Sequence, residues 1–390
     1  MQVVAGSYDK AVFGFQYESP TAQDGAADTT AGSDPRLVPT FGYAAHTGCV
    51  KAVASSGTIL VSSSTDESIK IYNLKKKVEI GSLLQHNGPV TCLDLYKRAN
   101  LLSGSEDKTI CIWSVKGWEC LHVLKGHKGA LYSLSIHPSG KLAISSAKDS
   151  TIRLWDLVKG RSAHCKNLAA DAEIVKWNYA GDYYAVVKNT SVSVHAIQKD
   201  EALAKITVSK RVLAIDFLQD GTLVTAGEDR ILQLWDPRTS QVISSTAAAP
   251  HVNRIRGLAV TTIGSDSTLI STGSSDGAIR IWDRRALDSP LCERDTKQRI
   301  TCLTATIFPR KGEVENRHAK EGEGGKDKDE AGAYDLPQAK ATSEGQGEGE
   351  DEVSQARQKK RSAVANKKKK KLIKKRRASE LEDTGVDADE

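Results

Sequence analysis

Seven times between residues 1 and 309, an Asp or Asn opens an alternating β-branched strand that ends six positions later in a ring side chain. The instances are DKAVFGF (Asp9, Phe15), DESIKIY (Asp66, Tyr72), DKTICIW (Asp107, Trp113), DSTIRLW (Asp149, Trp155), NTSVSVH (Asn189, His195), DRILQLW (Asp229, Trp235) and DGAIRIW (Asp276, Trp282). One such match carries little information. Seven at one internal spacing demand a repeat architecture, in which each unit buries its apolar faces against its neighbours. Successive Asp or Asn positions are 57, 41, 42, 40, 40 and 47 residues apart, against the roughly 40 to 45 residues of a four-stranded propeller blade. The long first interval holds YESPTAQDGAADTTAGSDPR, a Gly, Ala, Asp and Thr-rich stretch that reads as a surface loop inserted over residues 18–36.

Each unit reads as an inner strand, a second strand ending at the Asp turn, the ring-bearing strand, and an outer strand. ALYSLSIH, KLAISSA, TIRLWDL and RSAHCKN are one such set. The chain, however, opens on QVVAGSY, which is already a second strand, and continues through AVFGFQY and LVPTFGY. Near its other end RITCLTATIF is an inner strand with no followers. The pattern therefore predicts an all-β, seven-bladed propeller with one blade split, its inner strand from residues 299–308 and its other three from residues 2–42. Such closure removes the sheet edges an open array would expose. Six complete blades with loose ends are the alternative.

The repeat resembles the WD-repeat family over about four fifths of the chain. The resemblance implies a hydrogen-bonded tetrad of a His from a G-H dipeptide, an Asp in a tight turn, a Ser or Thr, and the strand Trp. KGHKG with SSAKDSTIRLWDL supplies His127, Asp149 and Trp155, and His86, Asp107 and Trp113 form a second set. His46, Asp66 and Tyr72 look like a third, with the indole replaced, and His251, Asp276 and Trp282 like a fourth. The chemistry is self-consistent: a carboxylate accepts from an imidazole N–H, a hydroxyl bridges, and an indole N–H donates. Two blades depart. One has Asn189 and His195 in place of Asp and Trp, and the blade of Asp229 and Trp235 has no His before Val212. Both are expected to rest on apolar packing alone.

Repetition of one constellation around a ring argues for a structural role, so no catalytic residues are assigned. The sequence holds no Gly-rich phosphate loop, no H-E-x-x-H and no G-x-S-x-G, and no cofactor is implied. The seven cysteines show no C-x-x-C spacing and are odd in number, which speaks against a disulfide framework or a zinc site. They read as small buried apolar residues in a reducing compartment. The N-terminal residues lack the pattern of an export signal, and no apolar run reaches the roughly 18 residues of a membrane span, so neither export nor a membrane partner is expected.

Beyond the repeats the charge segregates. Residues 311–352 carry six basic and thirteen acidic side chains, 357–377 thirteen basic and none acidic, and 380–390 six acidic and none basic. The domain reading is a propeller over 1–309, a disordered acidic linker over 310–355, a basic segment over 356–378 and an acidic tail over 379–390. The basic segment contains Lys359, Lys360, Arg361, Lys367, Lys368, Lys369, Lys370, Lys371, Lys374, Lys375, Arg376 and Arg377. It suits nuclear import and salt-sensitive contact with RNA phosphates; the bland reading is a solvated tail. Ser379, in RRASELED, resembles sites for basic-directed and acidic-directed kinases.

A finer resemblance rests on VVAGSYDKAVFGF, NLKKKVEIGSL, KGWECLHVLKGHKGALYSLSIHPSGKLAIS, LVKGRSAHCKN, SSDGAIRIWD, RITCL and the lysine-rich segment. Together these look like the nucleolar WD-repeat family of PAK-interacting and MAK-type assembly factors. The resemblance implies a non-enzymatic scaffold for large (60S) ribosomal subunit assembly in the nucleolus. The implied partners are pre-60S particle proteins and pre-rRNA. Restraint of a p21-activated kinase is the competing function, and ubiquitin-ligase substrate adaptor a third with no feature to single it out.

Overall fold

Residues 1–19, 34–197, 202–246, 250–263 and 267–308 are described in a computed structural model of the chain. Expectations for the linker, basic segment and acidic tail, Ser379 included, fall outside these residues.

Alternation drives the strands. In TICIWS (Thr109–Ser114), Ile110 and Ile112 are inaccessible on one face and Cys111 and Trp113 on the other. A strand so covered lies between two neighbouring sheets, and each fully buried Ile contributes about 1.5 to 3 kcal/mol of transfer free energy.

Seven four-stranded sheets form. The first combines β1 (Gln2–Ser7), β2 (Val12–Glu18) and β3 (Arg36–Tyr43) with a final strand from the far end of the fold. Six meanders follow in chain order. These are β4 (Val50–Ser56), β5 (Ile59–Ser64), β6 (Ile69–Asn73) and β7 (Val78–Leu83), then β8 (Val90–Tyr96), β9 (Asn100–Ser105), β10 (Thr109–Ser114) and β11 (Cys120–Lys125). Next come β12 (Leu131–Ile136), β13 (Leu142–Ala147), β14 (Thr151–Asp156) and β15 (Arg161–Asn167), and β16 (Ile174–Trp177), β17 (Tyr183–Lys188), β18 (Ser191–Ala196) and β19 (Ala202–Thr207). The last two are β20 (Val212–Phe217), β21 (Leu223–Gly227), β22 (Gln233–Asp236) and β23 (Gln241–Ser245), and β24 (Ile255–Ile263), β25 (Ser267–Ser274), β26 (Ala278–Asp283) and β27 (Cys292–Asp295). The final strand, β28 (Ile300–Thr306), pairs antiparallel with β1, matching Gln2 with Thr306 and Ala5 with Leu303. This is the split blade, with the inner strand from one end of the fold and three strands from the other.

Burial grades outward through each blade. The second strands β5, β9, β13 and β21 are almost wholly buried and rich in small residues, whereas the outer strands β7, β15 and β23 are mostly exposed. This grading corrects the reading of the cysteines as uniformly buried. Cys92 and Cys111 are buried, but Cys165 lies exposed on the outer strand β15 and the other four are half-buried. All seven are free thiols.

Adjacent inner strands are stitched by side chains. The Thr91 hydroxyl donates to the Leu131 carbonyl (2.9 Å), Asp94 accepts from the Ile136 amide (2.7 Å), and Ser135 from the Trp177 amide (3.1 Å). Asp216 accepts from the Val260 amide (3.0 Å), and Thr301 donates to the Val50 carbonyl across the closing seam (2.7 Å). At that seam Gly6 leaves no room for a larger residue, since a Cβ there would sit 2.6 Å from Cys302 Sγ and from a Val50 methyl.

Candidate functional site

In a four-stranded meander, the turn after the second strand and the connection to the next blade lie at the same end. Every Asp turn and every His-bearing connection therefore opens on one face of the ring, the His face. The turns after first and third strands open on the other.

The blade of β12–β15 shows what the sequence builds there. The Trp155 indole donates to Ser145 Oγ (2.8 Å), which lies 2.7 Å from His127 Nε2, and His127 Nδ1 faces the two Asp149 carboxylate oxygens at 3.3 and 3.2 Å. The carboxylate requires Nδ1 to carry the proton, so Nε2 accepts from the Ser145 hydroxyl and every polar atom in the chain is used. Burial by itself raises the Asp149 pKa. The Thr151 hydroxyl, the Lys128 amide and His127 outweigh it and hold the carboxyl down at about 2. Burial pushes the His127 imidazole below its ordinary value against the pull of Asp149, so it is neutral. Gly129 closes this loop against the turn, where a Cβ would meet the Asp149 backbone nitrogen at 2.6 Å.

The blade of β8–β11 repeats the arrangement through Trp113, Ser103, His86 and Asp107, at 2.9, 2.8 and 2.9 Å. In β4–β7, His46 lies 2.8 Å from Ser62 and 3.0 Å from Asp66. Tyr72 replaces the indole there. Its hydroxyl lies beside Ser62 without reaching hydrogen-bond geometry, and its ring stacks on Tyr43 at 5.0 Å.

The remaining blades differ from the sequence expectation. In β24–β27, His251 and the Trp282 indole both meet Thr272 Oγ1 at 3.0 Å, but Asp276 stands 3.7 Å from His251 Nδ1. Arg280 takes that nitrogen instead at 2.6 Å and pairs outward with Glu293 at 2.7 Å. Asp229 and Trp235 do not rest on apolar packing alone, because the Trp235 indole donates to Thr225 Oγ1 at 2.9 Å. With no His to meet it, Asp229 accepts one long bond from the Ile231 amide (3.3 Å), and burial raises its pKa. In β16–β19, His195 stacks on Tyr184 (5.3 Å) and approaches Ser193 (3.0 Å), giving a ring cluster where a tetrad is absent.

The bridging hydroxyls Ser62, Ser103, Ser145, Thr225 and Thr272 each stand ten residues before their ring, a spacing that identifies them without coordinates. A second set sits at the starts of the inner strands. Arg211, Arg254 and Arg299 immediately precede Val212, Ile255 and Ile300, the first buried residues of three consecutive inner strands. Deeper in the ring, Lys176 Nζ lies 3.9 Å from Asp216 Oδ1, and its pKa is raised first by Asp216 and then by Asp94. Among the described residues, no group of three or more His, Cys, Asp or Glu is arranged to hold a metal ion.

Similarity to known proteins agrees with this architecture. The chain matches the WD domain, G-beta repeat family over residues 37–73, 77–114, 118–156, 203–236 and 248–283. Strands outside these matches include β28, β1 and β2 of the split blade and β16, β17 and β18 of the blade of Asn189, the two blades whose ring residues, Phe15 and His195, replace the indole or phenol of the others. A chicken (Gallus gallus) protein named p21-activated protein kinase-interacting protein 1-like is 41% identical over 79% of this chain and 80% of its own length. The human p21-activated protein kinase-interacting protein 1 is 33% identical over 78% of this chain and 76% of its own. Protein MAK11 of Saccharomyces cerevisiae is 28% identical over 78% and 82%. With seven blades, a shared tetrad chemistry and this extent of identity, the chain belongs to the WD-repeat family that includes the p21-activated protein kinase-interacting protein 1-like proteins.

Proposed function

We propose that this protein is a non-enzymatic scaffold that docks on an assembly intermediate of the large ribosomal subunit in the nucleolus and supports processing of its RNA. The observation that carries this reading is the similarity to MAK11 over 78% of the chain, supported by motifs along the propeller that resemble the family of PAK-interacting and MAK-type factors. Geometry supports a binding role. His46, His86, His127 and His251 are all engaged inside their own blades, which leaves the faces and rim for partners. The thirteen basic residues of 357–377 fit delivery to the nucleus and a grip on RNA, in which the logarithm of affinity falls with the logarithm of salt at a slope of about −0.7 per neutralised phosphate.

Depletion is the test. Large subunits fall relative to small ones, and unprocessed large-subunit RNA precursors accumulate. Deleting residues 357–377 lowers nucleolar accumulation and low-salt RNA binding, and a foreign nuclear signal restores import but not the RNA contacts. A second reading has its own observation: the relatives at 41% and 33% identity are named for interaction with a p21-activated kinase. Unchanged subunit ratios, with stable capture of such a kinase, would favour it.

A further inference from the structure

On the His face, the mouth of the central channel is ringed by the residues that open the inner strands. On four consecutive blades these residues are cationic: Arg211 before β20, Arg254 and Arg256 about the first residue of β24, Arg299 before β28, and Lys51 at the start of β4. The charges converge. Arg254, Arg299 and Arg211 all act on Arg256, and Lys51, Arg299 and Arg256 all act on the Cys49 thiol.

Only part of this charge is met within the protein. Arg211 Nε lies 2.9 Å from Glu173, Arg254 stands 4.0 Å from Glu228, and the exposed Arg299 guanidinium lies over the Tyr8 ring at 5.2 Å. Arg256 Nε is shielded from water and meets no acceptor among the described residues. Burial and then the three neighbouring arginines lower the Arg256 pKa below its ordinary value. A half-buried cation crowded by like charges destabilises the ring, and an incoming anion removes that penalty. Across the mouth the sign reverses, with Asp171 and Glu173 acting on the half-exposed Tyr132.

We infer that the cationic arc of the channel mouth, centred on Arg256, is a docking site for a short acidic peptide segment of a partner protein. A carboxylate presents two oxygens to a guanidinium in matching fork geometry. The arc spans four adjacent inner strands, so an extended segment lies along it with a carboxylate on Arg256 and others toward Arg299 and Lys51. A nucleic-acid backbone fits less well, because its continuous row of phosphates runs on from the arc toward Asp171 and Glu173 beside Tyr132, whereas a short acidic segment ends within the arc. The inference goes beyond the assembly-factor reading and holds whether the partner is ribosomal or a kinase.

The full-length protein is incubated with an eight-residue Asp/Glu peptide carrying a photo-crosslinker, and adducts are mapped by mass spectrometry to separate the mouth from the basic segment. Adducts form around Lys51 and around Tyr8, whose ring lies under Arg299, and not at Tyr132 across the mouth. Arg256→Gln weakens this labelling about tenfold, Arg256→Lys retains part of it, and Lys159→Gln in a turn on the opposite face changes nothing. The melting temperature of Arg256→Gln stays level or rises, because like-charge crowding is relieved. The exposed Arg299→Gln also weakens labelling and serves if Arg256→Gln does not fold. Adducts confined to residues 357–377, labelling unchanged in both variants, or an oligouridylate that takes the peptide's place at Lys51 and Tyr8 would each overturn the proposal.

Discussion

The blades of β12–β15 and β20–β23 share a backbone plan and a Trp-to-hydroxyl bond, yet they treat the same Asp in opposite ways. Asp149 receives His127, the Thr151 hydroxyl and the Lys128 amide, and its pKa is held down at about 2. Asp229 receives one long amide bond and is raised by burial. The turn itself thus needs little from the carboxylate. What the tetrad adds is a continuous chain of satisfied bonds from the connecting loop to the middle of the sheet, tying one blade to the approach of the next.

Removing the carboxylate separates the two most sharply. Asp149→Ala leaves His127 Nδ1–H without its acceptor, and urea unfolding should show a loss of about 1 to 3 kcal/mol. Asp229→Ala should fall within about 0.5 kcal/mol of the parent. Equal losses would show that the turn, not the network, is what Asp supplies.

Acidification comes next. Burial lowers the pKa of His46, His127 and His251 beneath the ordinary 6.5. Below that pH the unfolded chain binds more protons than the folded one, so stability falls as pH drops through 6.5. Asp149 adds a further loss as pH falls from 3.8 toward about 2. Asp229, raised above 3.8, has the opposite sign: its unfavourable contribution appears as pH rises and is relieved in acid. Hydrogen exchange at pH 5.5 against pH 7.5 should therefore show earlier opening in β12–β15 than in β20–β23. The reverse order would contradict the assignment of neutral histidines.

Coupling is a smaller effect. Trp155→Phe and Asp149→Asn act on one chain of bonds and should be non-additive by about 0.5 to 3 kcal/mol, while Trp235→Phe and Asp229→Asn should add within about 0.3 to 0.5 kcal/mol. Smallest is the turn backbone, where Lys108 and Arg230 follow their Asp at φ of 73° and 65°. Replacing either with Gly relieves left-handed strain but adds unfolded-state freedom. The melting temperature should rise slightly, and by the same amount in both blades if the two turns are alike.

Blade number, period and the split closing blade were legible because each is written in local spacing: an Asp, a ring six residues on, and strands whose order is broken only at the ends. The tetrads of His86 and His127 were legible for the same reason. Arg280 was not. It occupies the place held by Lys70 and Arg153 in other blades, four residues after the Asp, where Lys70 pairs with Glu79 on the outer strand and neither cation bonds its blade's His. Only the 3.7 Å gap between His251 and Asp276, with Glu293 beyond, shows it turned inward. The arginine arc was hidden differently, since its members lie far apart in sequence and meet only where the inner strands converge.

Docking of the propeller on large-subunit precursors, as proposed, is tested by gradient sedimentation of the tagged full-length protein from cell extract at low salt. The protein should migrate with particles containing large-subunit precursor RNA, and Asp149→Ala should shift it to the free pool only in proportion to its loss of fold. Migration of the stable, folded protein entirely at the top of the gradient, near its own 42.1 kDa or with a kinase, would contradict it.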